Sequence, residues 1–165
     1  MRSCHLSNAI LVLLLTLLAG PSVSLAQEGT ITGQVSLTNQ EGKVVYGDWV
    51  RVFLTSEPID VPEVDLASTH VPWERQSRIN AGHRDFLVNF RQKLSAPGYA
   101  VEDKLTRPDG TFTFNRIPPG RYYIVITFPT MIAGYKCAWQ TAVDVAGGQS
   151  VSVALNNDNL VIPAY

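Results

Sequence analysis

Residues 104–128 read Lys-Leu-Thr-Arg-Pro-Asp-Gly-Thr-Phe-Thr-Phe-Asn-Arg-Ile-Pro-Pro-Gly-Arg-Tyr-Tyr-Ile-Val-Ile-Thr-Phe. Two turn signals stand in this stretch, each followed by a strand pattern. In Pro108-Asp109-Gly110 the proline presets φ and the glycine takes φ > 0. Thr111 to Phe114 then alternates, with Phe112 and Phe114 on one face. Pro118-Pro119-Gly120 is the second corner, because proline donates nothing to a strand ladder. Tyr122 to Phe128 is apolar at almost every position, which predicts a strand covered on both faces.

The same grammar extends outward. Thr30 to Thr38 alternates, with Ile31, Gly33, Val35 and Leu37 facing one way. Val44 to Thr55 is a second strand region, broken at Gly47-Asp48, with Val50, Val52 and Leu54 opposite Trp49, Arg51 and Phe53. Ala100 to Thr106 predicts a short strand. Cys137, Trp139, Thr141, Val143 and Val145 share one face of another strand. Gly147-Gly148 predicts a hairpin turn, and Val151, Val153 and Leu155 the inner face of the last strand, ended by Asn156 to Asn159. Pro129 to Tyr135 reads as a loop. The expected class is mainly β: a seven-stranded antiparallel β-sandwich.

Residues 57–104 interrupt this pattern. Glu57 to Asp65 carries two prolines and four acids and reads as an extended surface loop. From about residue 73 to 95 the period becomes helical, with Ile79, His83, Phe86, Leu87, Phe90 and Leu94 on one stripe. Gly82 weakens the middle, so two helices with Asn80 capping the second are expected. The stripe needs cover, and so does the outer face of the strand at Tyr123 and Val125. Docking the helix there satisfies both.

The first residues read as an address. Arg2, the apolar run Ile10 to Leu18 and the small-x-small Ser24-Leu25-Ala26 predict a signal peptide over 1–26. The expectation is a cleaved leader and one domain over 27–165, exported to a periplasm or the extracellular space, with no membrane span after cleavage. The formal net charge of −1 excludes the basic excess of a typical nucleic-acid binder. Beyond the leader only Cys137 remains, so no disulfide forms within that part of the chain, and the thiol is expected to be buried.

The motifs Asp109-Gly110-Thr111-Phe112-Thr113-Phe114 and Ile117-Pro118-Pro119-Gly120-Arg121-Tyr122-Tyr123 resemble those of carboxypeptidase regulatory-like domains. Thr32-Gly33-Gln34-Val35 and the closing Val151 to Leu155 are similar to that family's first and last strands. The resemblance covers residues 28–55 and 105–157. It implies a transthyretin-like (prealbumin-like) sandwich and an accessory or binding role. The insertion departs from the family pattern.

Chemistry is sparse. His70 and His83 do not sit in zinc-ligand spacing, and Asp60, Glu63 and Asp65 lack the spacing and turn glycine of an EF-hand. There is no nucleophile elbow and no phosphate loop. No catalytic, cofactor or metal residue is therefore assigned. The insertion carries more than half of the charges beyond the leader, and Arg75, Arg78, Arg84 and Arg91 beside Trp73 form the candidate ligand or partner face. The alternatives at those positions are a solvated helix face with a Glu74–Arg78 pair, and a Trp73 that staples the helix start. Trp139 is expected in the core. The leading expectation is an exported non-enzymatic module that mediates a protein interaction in the cell envelope. A carbohydrate-binding module comes second, and a hydrolase using the helical insertion third.

Overall fold

The computed structural model describes residues 27–164. The leader expected over 1–26 lies outside the described residues. The chain runs β1 (Gly29–Thr38), β2 (Val44–Tyr46), β3 (Arg51–Thr55), α1 (Pro72–Leu94), β4 (Ala100–Leu105), β5 (Thr111–Ile117), β6 (Gly120–Ile126), β7 (Met131–Ile132), β8 (Tyr135–Lys136), β9 (Ala138–Val145), β10 (Ser150–Leu155), a 3-10 turn (Asn157–Asn159) and β11 (Leu160–Ile162).

Two sheets face each other. In the first, β1 is flanked by β10 on one side and by β5 and β2 on the other. The second has the order β11-β9-β6-β3-β4. Side chains of period two fill the space between them: Ile31, Val35 and Leu37 from β1, Val52 and Leu54 from β3, Phe112 and Phe114 from β5, Ile124 and Ile126 from β6, and Trp139 and Val143 from β9. Trp139 is fully buried as expected, and its indole N–H donates to the Asn156 carbonyl at 2.8 Å.

The two turn motifs act as corners. Gly110 sits at φ 76°, its N–H donates to the Arg107 carbonyl, and its own carbonyl accepts from Val35 N–H at 2.9 Å. Asp109 closes the turn by accepting from the Thr111 N–H and hydroxyl. At the Pro118-Pro119-Gly120 corner the chain leaves the first sheet for the second, and the Tyr122 hydroxyl donates back to the Pro118 carbonyl at 2.9 Å.

Helix α1 lies on the outer face of the second sheet. Ile79, Phe86 and Phe90 pack with Val125, Ala138 and Ile162, and Tyr123 borders the cluster. Phe90 meets Phe53 with ring centroids 4.7 Å apart. The docking expected from the two apolar surfaces is what the chain does.

Five expectations need correction. The helix is one continuous element, because Gly82 lies on its buried face; a Cβ there would stand 2.6 Å from Val64 Cγ2, so the glycine permits close approach instead of ending a helix. The sheets are not wholly antiparallel: β1 and β10 pair in parallel from Thr30–Ser150 to Val35–Leu155. These strands are remote in sequence, so no tight turn imposes their relative direction. Gly147-Gly148 joins strands of different sheets and is a corner, not a hairpin turn. Finally, Asn156 does not end the strands. Its side chain caps the 3-10 turn, and β11 then adds to β9 at Leu160–Trp139, while 129–136 holds the small β7–β8 ribbon.

Candidate functional site

The 57–71 segment is an irregular loop, as its prolines predict, but it is pinned. Gln140 on β9 bonds both the N–H and the carbonyl of Ile59, whose side chain is buried under the helix. Helix polar groups do the rest. Lys93 donates to the Pro58 carbonyl and Asn89 to the Asp60 carbonyl.

This pinning decides the fate of the arginines singled out from sequence. Arg75 donates to the Leu66 carbonyl at 2.8 Å, and Arg78 to the Asp65 carbonyl at 2.8 Å and the Ser68 hydroxyl at 2.5 Å. Glu74 accepts from the Thr69 hydroxyl, so Glu74 and Arg78 serve the loop and not each other. Asp65 accepts from Ser68 and Ala67 beside Arg78, and these bonds, that from the Ser68 side chain foremost, hold its carboxyl below the usual range. Arg84 is exposed and pairs with Asp85 at 3.2 Å. Trp73 is 68 % exposed. It lies over a shallow polar surface with Gln76, Ser77 and Arg84. Arg91 stands apart from the other three, on a different surface.

That surface is an apolar cleft, with a volume of about 490 Å³. It opens between the last turns of α1, the β3–β4 side of the second sheet and the 127–131 segment. Phe53, Leu87 and Phe90 line it from below. Trp49, Leu94, Leu105 and Met131 also line it, and all four are large exposed apolar side chains. Asp48, Arg51 and Arg91 supply its charges. Arg51 is shared with Asp103 at 3.7 Å, whereas Arg91 has no ion-pair partner within 4.0 Å among the described residues. Leu105 belongs to β4, the terminal strand of its sheet.

Trp49 is the residue sequence reasoning passed over. It is 70 % exposed and sits at φ 53°. A bulky residue in the left-handed region is strained and persists only where its surroundings dictate it. Thr106 does so here. Its buried hydroxyl donates to the Gly47 carbonyl and accepts from Val50 N–H at 2.8 Å, and its own N–H donates to the Val50 carbonyl at 2.9 Å. One threonine thus clamps both sides of the 47–50 turn and leaves Trp49 standing out. The only sequence trace of this was the break at Gly47-Asp48 in an otherwise alternating strand.

No histidine lines the cleft. Cys137 is buried, and burial pushes its thiol up to about 11. No helix of the described residues is long and apolar enough to cross a membrane.

No family model and no curated protein matches the chain. Solved structures do. A Pseudomonas aeruginosa protein provisionally described as carbohydrate-binding is 20 % identical, with 79 % of this chain and 89 % of that one covered and a TM-score of 0.43. The minor pilin of Streptococcus agalactiae is 14 % identical with a TM-score of 0.46, and the full-length major pilin of Corynebacterium diphtheriae is 14 % identical with a TM-score of 0.42. The match covers 79 % of this chain in both cases, but only 44 % and 30 % of the two pilins.

Proposed function

We propose that this chain is an exported, non-enzymatic β-sandwich accessory module of carboxypeptidase regulatory-like type, and that it docks an extended segment of a partner protein in the cleft beside Trp49. The observation that carries this reading is Trp49 itself, held exposed at positive φ over an apolar cleft. Exposed tryptophan and arginine beside a desolvated apolar floor is the composition of interface hot spots. Aliphatic Leu94, Leu105 and Met131 suit an apolar anchor side chain better than a sugar face. The free edge of β4 beside the cleft offers unpaired backbone groups to an incoming strand. Arg91, without an acid, favours acidic residues beside the anchor.

A glycan reading draws on the exposure of both Trp49 and Trp73. They do not share a platform. Trp73 is in the first turn of α1 and the cleft takes its last turns, about 20–30 Å away along the axis.

The test is selection of a displayed peptide library on the wild-type protein and on Trp49→Ala, with a glycan array run beside it. The expected result is enrichment of peptides with a bulky apolar anchor flanked by acids, lost in the variant. Trp49-dependent glycan binding without peptide enrichment overturns the reading.

A further inference from the structure

Beyond the cleft, on the far side of Leu87 and Phe128, lies a second, smaller cavity of about 170 Å³. Asn80, His83, Arg84, Leu87, Phe128 and Lys136 line it. The two cavities share Leu87 and Phe128, so a segment lying in the first reaches the second without leaving the flank of α1.

Two of the small cavity's lining residues are cations, and none is an acid. Arg84 is shared with Asp85 at 3.2 Å, so the charge left over is that of Lys136. The half-buried Lys136 ammonium donates to the Asn80 side-chain oxygen at 2.6 Å and sits 5.6 Å from the Phe128 ring centroid. It has no carboxylate within 4.0 Å among the described residues. His83 is almost wholly buried at the same cavity, and neither ring nitrogen makes a well-formed hydrogen bond, although the Pro163 carbonyl stands beside the ring. A buried polar group without a partner calls for an explanation, and a ligand is one. The Pro163 carbonyl favours the protonated ring, but burial first, and then the Lys136 charge, hold its pKa below the ordinary value. A carboxylate would relieve both: it neutralises Lys136 and favours imidazolium over imidazole.

We propose that this cavity is a carboxylate subsite, which receives an aspartate or glutamate side chain of the segment docked in the Trp49 cleft. It rests on the docking reading for the source of the carboxylate, but not for the subsite itself. The entering carboxylate passes between the apolar walls of Leu87 and Phe128, pairs with Lys136 and Arg84, and brings its charge close to the His83 ring.

The experiment is an NMR titration of the full chain as its host produces it, with sodium acetate as probe against sodium chloride at equal ionic strength. The expected result is saturable movement of the His83 ring and Lys136 resonances with acetate alone, and an upward shift of the His83 pKa at saturation. Lys136→Gln should weaken acetate about tenfold, and the exposed Arg84→Gln, which keeps the Asn80–Lys136 contact, should weaken it several-fold. Movement that chloride reproduces, or no movement with acetate, overturns the subsite. N-acetylglutamate amide binding at least as well as acetate supports the side-chain source, and a preference for glucuronate overturns it. Peptides that bind through Trp49 while acetate fails would sink the subsite and spare the cleft. Acetate binding with no Trp49-dependent peptide would do the reverse.

Discussion

Gly110→Ala tests whether the Asp-Gly corner is held by its neighbours or only by its own backbone preference. Gly110 is at φ 76°, and an L-residue in the left-handed region costs about 1 kcal/mol. Its Cβ would also stand 2.3 Å from the Val35 carbonyl oxygen, which is backbone and cannot rotate aside. That oxygen accepts from Gly47 N–H at 2.9 Å, and Val35 N–H donates to the Gly110 carbonyl at 2.9 Å. Relieving the clash must therefore pull β1 from the turn at the expense of these bonds, worth about 1 kcal/mol each. The expected loss is about 3 kcal/mol, or roughly 9 °C in Tm for a chain of this size. The structure contains its own control. Gly42 has φ 77° and open space for 4 Å around the position its Cβ would take, so Gly42→Ala should cost only the backbone share, about 1 kcal/mol. Urea unfolding of both variants, read by tryptophan fluorescence, measures the difference. Equal losses would refute the claim that the Val35 carbonyl confines this corner.

Four further outcomes follow from the geometry. Phe90→Ala removes a buried ring packed on Phe53 and should cost about 3–5 kcal/mol by urea unfolding. Thr106→Val leaves the Val50 N–H and Gly47 carbonyl without their partner; it should cost about 1–3 kcal/mol and weaken peptide binding too, whereas Trp49→Ala should abolish binding with Tm almost unchanged. Asp65 and Asp109 are held below the ordinary 3.8 by hydrogen bonds, from the side chains of Ser68 and Thr111 foremost, so their contribution to stability is complete above that value and is lost as pH falls through the lower folded-state values; NMR titration of both carboxyls checks the direction. Cys137, buried and with its thiol pushed up to about 11, should resist a disulfide reagent at pH 8 in the folded chain and react on addition of denaturant.

What could be read from sequence was whatever chemistry is local. The alternation of β1 and the helical stripe through Ile79, Phe86 and Phe90 each state a period that is realised, and the apolar run of β6 states a strand covered on both faces, as Ile124 and Val125 are. The two corners at Gly110 and Pro118-Pro119 were legible because one residue type dictates φ or removes a donor. Long-range choices were not legible. The parallel pairing of β1 with β10 depends on how two ends of the sandwich meet, and β11 has three residues that become a strand only against Trp139 and Ala138. The same limit holds at the candidate site. Arg75 and Arg78 looked free because sequence cannot show the loop carbonyls that occupy them. Trp49 looked like an ordinary member of an alternating strand, because the clamp that turns it outward comes from Thr106, more than fifty positions away.

The parallel register of β1 and β10 also has a mechanical meaning. A pull that enters ahead of Gly29 and leaves beyond Leu155 runs along both strands in opposite senses. The rungs between them are then dragged sideways together, and none can open before the next as in the unzipping of a hairpin. Once the short β11 has peeled away, this seam bears the tension for the whole sandwich.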